Sequence, residues 1–196
     1  VLAGQVNAGK HRVMVMAAEK SLIQGYEQLA QMLGLYIADI DYIGNSVIQA
    51  TKLNAGSDSI MTVKIEEENA LVTILQQGMM MMQRTVNYQV GHMDDDVLPT
   101  REEIIDILTG TVTRLIDFYA ANNEENRIAQ IYIIGDGSRE WSITDVMTEQ
   151  TGIPSRFLEN VRATTITKRA DNNMINVYAA AIGAGVSSVG FDAEKE

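Results

Sequence analysis

Cysteine is absent from the 196 residues, so disulfides, thiolate metal sites and cysteine nucleophiles are all excluded. Histidine occurs only as His11 and His92, too few for a histidine-rich metal centre. No apolar run approaches the roughly 18 residues that a bilayer-spanning helix requires, and no signal-peptide pattern opens the chain. Basic residues are also scarce: 15 Lys and Arg stand against 26 Asp and Glu, a net charge of −11. Like charge repels phosphate, which argues against nonspecific binding to nucleic acid or to anionic lipid. What is present, 46% hydrophobic and 21% charged residues, is the composition of an ordinary globular protein of one domain or two small lobes. A cytoplasmic location is expected. The chain opens on Val1 and a loop-like Leu-Ala-Gly-Gln-Val-Asn-Ala-Gly-Lys, so it is expected to be a fragment with an upstream part missing.

Periodicity then gives an order of elements. Arg12 to Ala18 reads as a short buried strand. From Ser21 to Leu33, apolar residues at Leu22, Ile23, Tyr26, Leu29, Ala30 and Leu33 have helical spacing, with Gly34 as a left-handed stop. Leu35 to Tyr42 reads as a second strand, so a strand–helix–strand crossover is expected. A short helix is expected around Val47 to Leu53, and Asn54 to Ser59 breaks the pattern, with a boundary near Gly56. Ser59–Lys64, Ala70–Gln76 and Met79–Tyr88 predict a three-stranded meander turned by Gln77-Gly78. Strand alternation sends Met79 to Met82 to opposite faces, so the methionine run is read as core packing rather than a thioether site.

Pro99 and Thr100-Arg-Glu-Glu103, a capping box, predict a long amphipathic helix to about Asn122. The continuous apolar run Ile131–Ile134 predicts a strand buried on both faces. Gly135-Asp-Gly-Ser138 breaks it, a helix follows through Trp141 to Thr151, and Gly152-Ile-Pro154 leads into another extended stretch. The Ala- and Gly-rich Met174–Val186 suits a helix packed closely on a neighbour.

Chemically, the strand–glycine turn–helix at Ile133 to Arg139 is the arrangement with most potential. Its glycines permit backbone to approach a ligand, and its helix start offers N–H groups to an anion or ribose. A purely steric role for the two glycines is equally compatible with the pattern. It lacks the third glycine of a dinucleotide fingerprint and the Lys-Ser/Thr ending of a P-loop. Glu66-Glu-Glu68 and Asp94-Asp-Asp96 do not follow calcium-loop spacing and read as solvated charge. No residues pair at the spacing of acid/base or nucleophilic catalysis, so neither a catalytic nor a metal-ligating set is assigned.

The order of pieces resembles the back part of an actin-like protein, and more narrowly the PilM-like family of type IV pilus assembly proteins with its cell-division relative FtsA. Val13-Met-Val-Met-Ala-Ala-Glu-Lys-Ser-Leu22, Gly25-Tyr26 through Leu33-Gly-Leu35, Asp39-Ile-Asp41, Ile131-Tyr-Ile-Ile-Gly-Asp-Gly-Ser138, Thr151-Gly-Ile-Pro154 and Tyr178-Ala-Ala-Ala-Ile-Gly-Ala-Gly185 carry that resemblance over nearly the whole chain. It implies an α/β fold: an actin-like (ribonuclease H-like) second lobe at 57–196, after part of a small inserted 1C-type subdomain and its connection at 1–56. The first lobe of the nucleotide cleft would be upstream.

The resemblance also implies where nucleotide would bind, and there the chain departs. The family's second phosphate loop reads Asp-Ile-Gly, three variable residues, then Thr. Here Lys64 stands for the aspartate, Glu66 for the glycine and Ala70 for the threonine, with Glu67 and Glu68 beside them. Like charges at about 4–6 Å from a triphosphate are unfavourable by about 1 kcal/mol each. The adenosine-side loop is Gly135-Asp136-Gly137-Ser138, with Asp136 where backbone should meet the ligand.

The implied function is therefore a scaffold with a degenerate nucleotide site, binding a cytoplasmic peptide of an inner-membrane pilus protein (PilN-like), at the inner face of the membrane through that partner, with self-association open. No cofactor is expected on this reading. The alternative is an ATP- and Mg²⁺-binding actin-like ATPase of pilus assembly or cell division, using Lys64, Gly135, Asp136, Gly137 and Ser138. A polymerising, FtsA-like role would usually bring an amphipathic membrane helix at the C-terminus, which the short acidic Gly190–Glu196 does not resemble.

Overall fold

A computed structural model describes residues 3–7, 10–13, 15–55, 58–88, 99–123, 127–135, 142–161 and 173–188. The first elements are β1 (Ala3–Asn7) and β2 (Lys10–Val13), an antiparallel pair, followed by helix α1 (Lys20–Met32). Gly34, with φ +67°, reverses the chain after α1, and Leu35 N–H returns to the Ala30 carbonyl at 2.8 Å. The chain then carries α2 (Ile43–Ala55), β3 (Ser59–Ile65), β4 (Asn69–Gln76), β5 (Met79–Asn87), α3 (Arg101–Asn122), β6 (Ile128–Ile134), α4 (Ile143–Thr151), β7 (Ser155–Phe157) and α5 (Asn173–Ser188).

Two expectations for the first part are corrected. The strand expected at Arg12–Ala18 is instead the end of β2, which pairs back onto β1 and stops at Val13, and Val15 to Glu19 form no strand. The strand expected at Leu35–Tyr42 is absent. Asp39 Oδ1 accepts from the Ile40 amide and Asp41 Oδ1 from the Tyr42 amide, both at 2.8 Å, so side chains occupy amides that a ladder would use. The expected crossover unit is therefore not formed. The boundary near Gly56 lies outside the described residues.

From Ser59 onward the expected order holds. Five strands form one sheet in the order β5-β4-β3-β6-β7, with β3–β4–β5 antiparallel and β3, β6 and β7 parallel. Gln77 (φ 51°) and Gly78 (φ 73°) make the tight turn between β4 and β5, where two consecutive positive φ angles match the twist of a hairpin. The capping box is present: Thr100 Oγ1 accepts from the Glu103 amide, and Glu103 Oε2 accepts from the Thr100 amide at 2.8 Å.

The sheet is covered on both faces. Met61, Val63, Ile65, Val72, Ile131 and Ile133 point to α3 and α4, where Leu108, Val112, Ile143 and Met147 are buried. Ile60, Leu75, Tyr132 and Ile134 point the other way, to α2 and α5, with Val47, Ile48, Ile175 and Ala179. That double coverage is why Ile131 to Ile134 of β6 form an unbroken apolar run and why Ile60, Met61 and Val63 of β3 are buried on alternate faces. α5 lies on α2 at backbone contact: a Cβ on Gly183 would stand 1.7 Å from the Ser46 carbonyl oxygen, so only glycine fits there.

Candidate functional site

The parallel pairing of β3 with β6 sets Lys64 beside Ile134, so the β3–β4 turn and the glycine turn after β6 share one end of the sheet. The chain joins them tightly. Gly135 has φ +134°, and a Cβ on it would come within 2.1 Å of the Ile65 carbonyl oxygen. Of the two readings of this glycine, the steric one thus has a definite partner: the missing side chain admits the β3 backbone. From α5, Asn176 Nδ2 donates to the Gly135 carbonyl at 2.9 Å, buried, tying a third element to the same point.

Lys64 leaves β3 on the α2/α5 side and is half-buried, its side chain 12% exposed. Its ammonium forms an ion pair with Glu66, two residues on. Glu66, Glu67 and Glu68 are exposed, and the turn that carries them is closed by Glu66 N–H on the Asn69 carbonyl at 2.8 Å. One cation against three carboxylates leaves this turn negative. Ala70 faces away, buried in the α3-side core beside Val86, so the position expected to offer a hydroxyl points into hydrocarbon. Beneath the turn, the Tyr88 amide donates to the Glu68 carbonyl at 3.2 Å. The Tyr88 ring is buried, and burial pushes its phenol well above the ordinary tyrosine value.

Asp136, Gly137 and Ser138 lie outside the described residues, so of the five candidate nucleotide contacts the structure places Lys64 and Gly135. Asn176 was not singled out by the sequence; an asparagine inside an Ala/Gly-rich helix was the signal available. A second missed feature lies at β7: Arg156 stacks over the Tyr132 ring, 5.0 Å from its centroid, and donates to the Tyr132 hydroxyl at 2.7 Å. Among the described residues no group of three acidic or histidine side chains is disposed to hold a metal ion. No described helix is long and apolar enough to cross a membrane.

The segment before the sheet contributes a different kind of surface. α1 buries no residue; Leu22, Tyr26 and Leu29 are each more than half exposed, in line along one face. At its far end, Asp41 accepts from Asn45 Nδ2 and Ser46 Oγ at 2.9 Å and holds the start of α2, while Tyr42 OH donates to Gln83 on β5 at 2.7 Å.

No protein-family model matches the chain, and no curated protein matches it. Solved structures do. A PilM-PilN type IV pilus biogenesis complex superposes with a TM-score of 0.63 at 16% identity, over 85% of this chain and 57% of that one. MreB5 of Spiroplasma citri bound to ADP superposes with a TM-score of 0.51 at 11% identity, over 91% of this chain and 69% of that one. The same protein bound to AMPPNP gives 0.52 at 9% identity, over 90% and 67%. The chain thus spans little more than half the length of the PilM-type chain it resembles. At these identities the likeness is one of fold: the architecture is that of part of an actin-like domain.

Proposed function

We propose that this chain belongs to a PilM-like, actin-fold scaffold of type IV pilus assembly, whose nucleotide site is degenerate and whose task is to hold a cytoplasmic peptide of an inner-membrane partner of PilN type. The observation that carries the reading is the β3–β4 turn. Where an actin-like cleft needs small, uncharged backbone around phosphate, this turn presents Glu66, Glu67 and Glu68, and its one cation is already paired with Glu66. A triphosphate approaching it meets repulsion and must displace an ion pair to gain Lys64. The open apolar face of α1 adds support, because an amphipathic helix with no buried residue is surface suited to a partner. On this reading the protein is cytoplasmic and reaches the membrane through that partner.

The test is a fluorescence-anisotropy titration of the labelled cytoplasmic peptide of the inner-membrane pilus protein with the full-length protein, beside calorimetry with MgATP. Saturable peptide binding with no heat at millimolar nucleotide supports the scaffold. MgATP binding at micromolar levels, with no peptide binding, overturns it. That outcome would favour the second reading, an actin-like ATPase, for which the resemblance to a nucleotide-bound MreB5 speaks. Lys64 and the loop from Gly135 to Ser138 would then be its contacts, and MgATP would slow amide exchange there.

A further inference from the structure

The two edges of the five-stranded sheet are finished differently. β7 closes one side with three residues, too short to template a further strand. β5 closes the other with nine, and no strand lies on its outer side among the described residues. Soluble proteins blunt long edges with proline, with charged side chains, lysine above all, with a central bulge or with a covering helix or loop, and the one charge on β5 is Arg84. β5 has neither proline nor lysine, and its one irregularity lies near its start, opposite Ile74 and Leu75. From Met82 to Asn87 the pairing with β4 is regular, and among the described residues no backbone group pairs with the outer side of that stretch.

Beside this edge, between β5 and α3, runs a groove of about 640 Å³ whose walls include Arg84, Val86, Asp106, Ile107, Gly110 and Arg114. Arg84 pairs with Val72 across the ladder and so points to the α3 side. Arg114 is one helical turn beyond Gly110 and donates to Thr111 Oγ1 at 3.0 Å. Among the described residues neither guanidinium is in an ion pair. Two cations against one carboxylate, Asp106, make this a basic spot on a chain of net charge −11. Gly110 adds an independent observation. Glycine within a helix costs about 1 kcal/mol relative to alanine, yet a Cβ there would meet nothing nearer than the Arg114 guanidinium, 3.7 Å away. Packing within the described chain gives no reason for glycine; a backbone entering the groove from outside does.

We infer that the β5 edge and its groove against α3 form a docking site for an extended segment of another polypeptide, which adds as a sixth strand and sets a carboxylate against Arg84 and Arg114. Alternation fixes its pattern. Side chains opposite Met82, Arg84 and Val86 share the α3 face, so the segment presents apolar, acidic, apolar at alternate positions. Main-chain hydrogen bonds supply affinity and the central carboxylate supplies selectivity. The site is separate from the β3–β4 turn and does not depend on whether nucleotide binds there.

The probe is a capped nine-residue peptide with threonine on one face and valine, glutamate, valine on the other, titrated into the full chain while the amide signals of Met79–Asn87 are followed by NMR. The expected result is saturable shifts confined to β5 and the facing turn of α3, lost when the peptide amides are N-methylated. Replacing its glutamate by lysine should weaken binding about tenfold, as should Arg84→Glu, whereas Arg84→Lys costs about threefold or less. Arg84→Glu should in turn accept the lysine peptide. Arg84 is exposed, so these variants keep the fold, which circular dichroism checks. Equal binding of the glutamate and lysine peptides, shifts elsewhere, or no shifts at millimolar peptide would overturn the proposal. Protection of β5 that appears without peptide and tracks a dimer in sedimentation would overturn it in favour of edge pairing between copies.

Discussion

α1 and α3 are both amphipathic helices read from the same kind of spacing, yet they live in opposite circumstances. α3 lays Leu108 and Val112 against the sheet until both are fully buried, and its start is held by the Thr100–Glu103 box. α1 has neither: no side-chain cap at Glu19, and Leu22, Tyr26 and Leu29 each more than half exposed. A helix of 13 residues is marginal in water by itself. The difference teaches that patterning announces a face, whereas stability requires a surface of matching shape for that face to meet. The part around the five-stranded sheet is built by burial; the α1 segment leaves its apolar face exposed among the described residues.

That contrast can be broken in order of size. Gly135→Ala should be the most damaging change, because it adds a Cβ 2.1 Å from the Ile65 carbonyl at a φ of +134°. A loss of about 3 kcal/mol or more is expected in urea unfolding, and an unperturbed midpoint would show that the β3–β6 end is not packed as described. Leu108→Ala, at a fully buried position, should cost about 3 kcal/mol through the cavity it leaves. Tyr88 responds to pH. Its phenol titrates higher when folded than the ordinary value of about 10. The stability this shift represents is therefore complete below pH about 10 and is lost as pH rises beyond it. Tyr88→Phe should flatten that alkaline loss. At pH 7 it should change stability by less than about 1 kcal/mol, since the hydroxyl has no hydrogen-bond partner among the described residues. Leu29→Ala should be the mildest, within about 0.5 kcal/mol, while weakening the partner-peptide titration. A cost equal to that of Leu108→Ala would erase the distinction between the two helices.

Much of the lobe was legible because its signals are local. Gly78 has the backbone freedom its turn needs, Thr100 and Glu103 cap each other within one turn, and Ile131–Ile134 could be apolar throughout only between two covered faces. Leu35–Tyr42 misled for a local reason too: Asp39 and Asp41 bind neighbouring amides, and apolar alternation does not reveal that competition. The methionine run was half legible. Met80 and Met82 do face opposite cores, but the bulge near Leu75 brings Met81 round to the α3 side with Met82, and the residues remain half-buried at the sheet edge. At the candidate site the acidic character of Glu66–Glu68 could be read directly. The contact of Gly135 with Ile65 could not, because it joins residues 70 apart in the chain.

By itself the sequence determined the charge of the β3–β4 turn, the exclusion of thiol chemistry, and the alternation and caps that define most elements from Ser59 to Phe157. Each of these depends on side chains within a few residues of one another. It took the folded chain to show that Gly135 meets the Ile65 backbone, that Gly183 lets α5 lie directly on α2, that Ala70 points into the core, and that β5 is a long edge beside two arginines with no strand outside it among the described residues. Those outcomes depend on which segments, distant in the chain, come to share a surface, and local pattern carries no information about the neighbour.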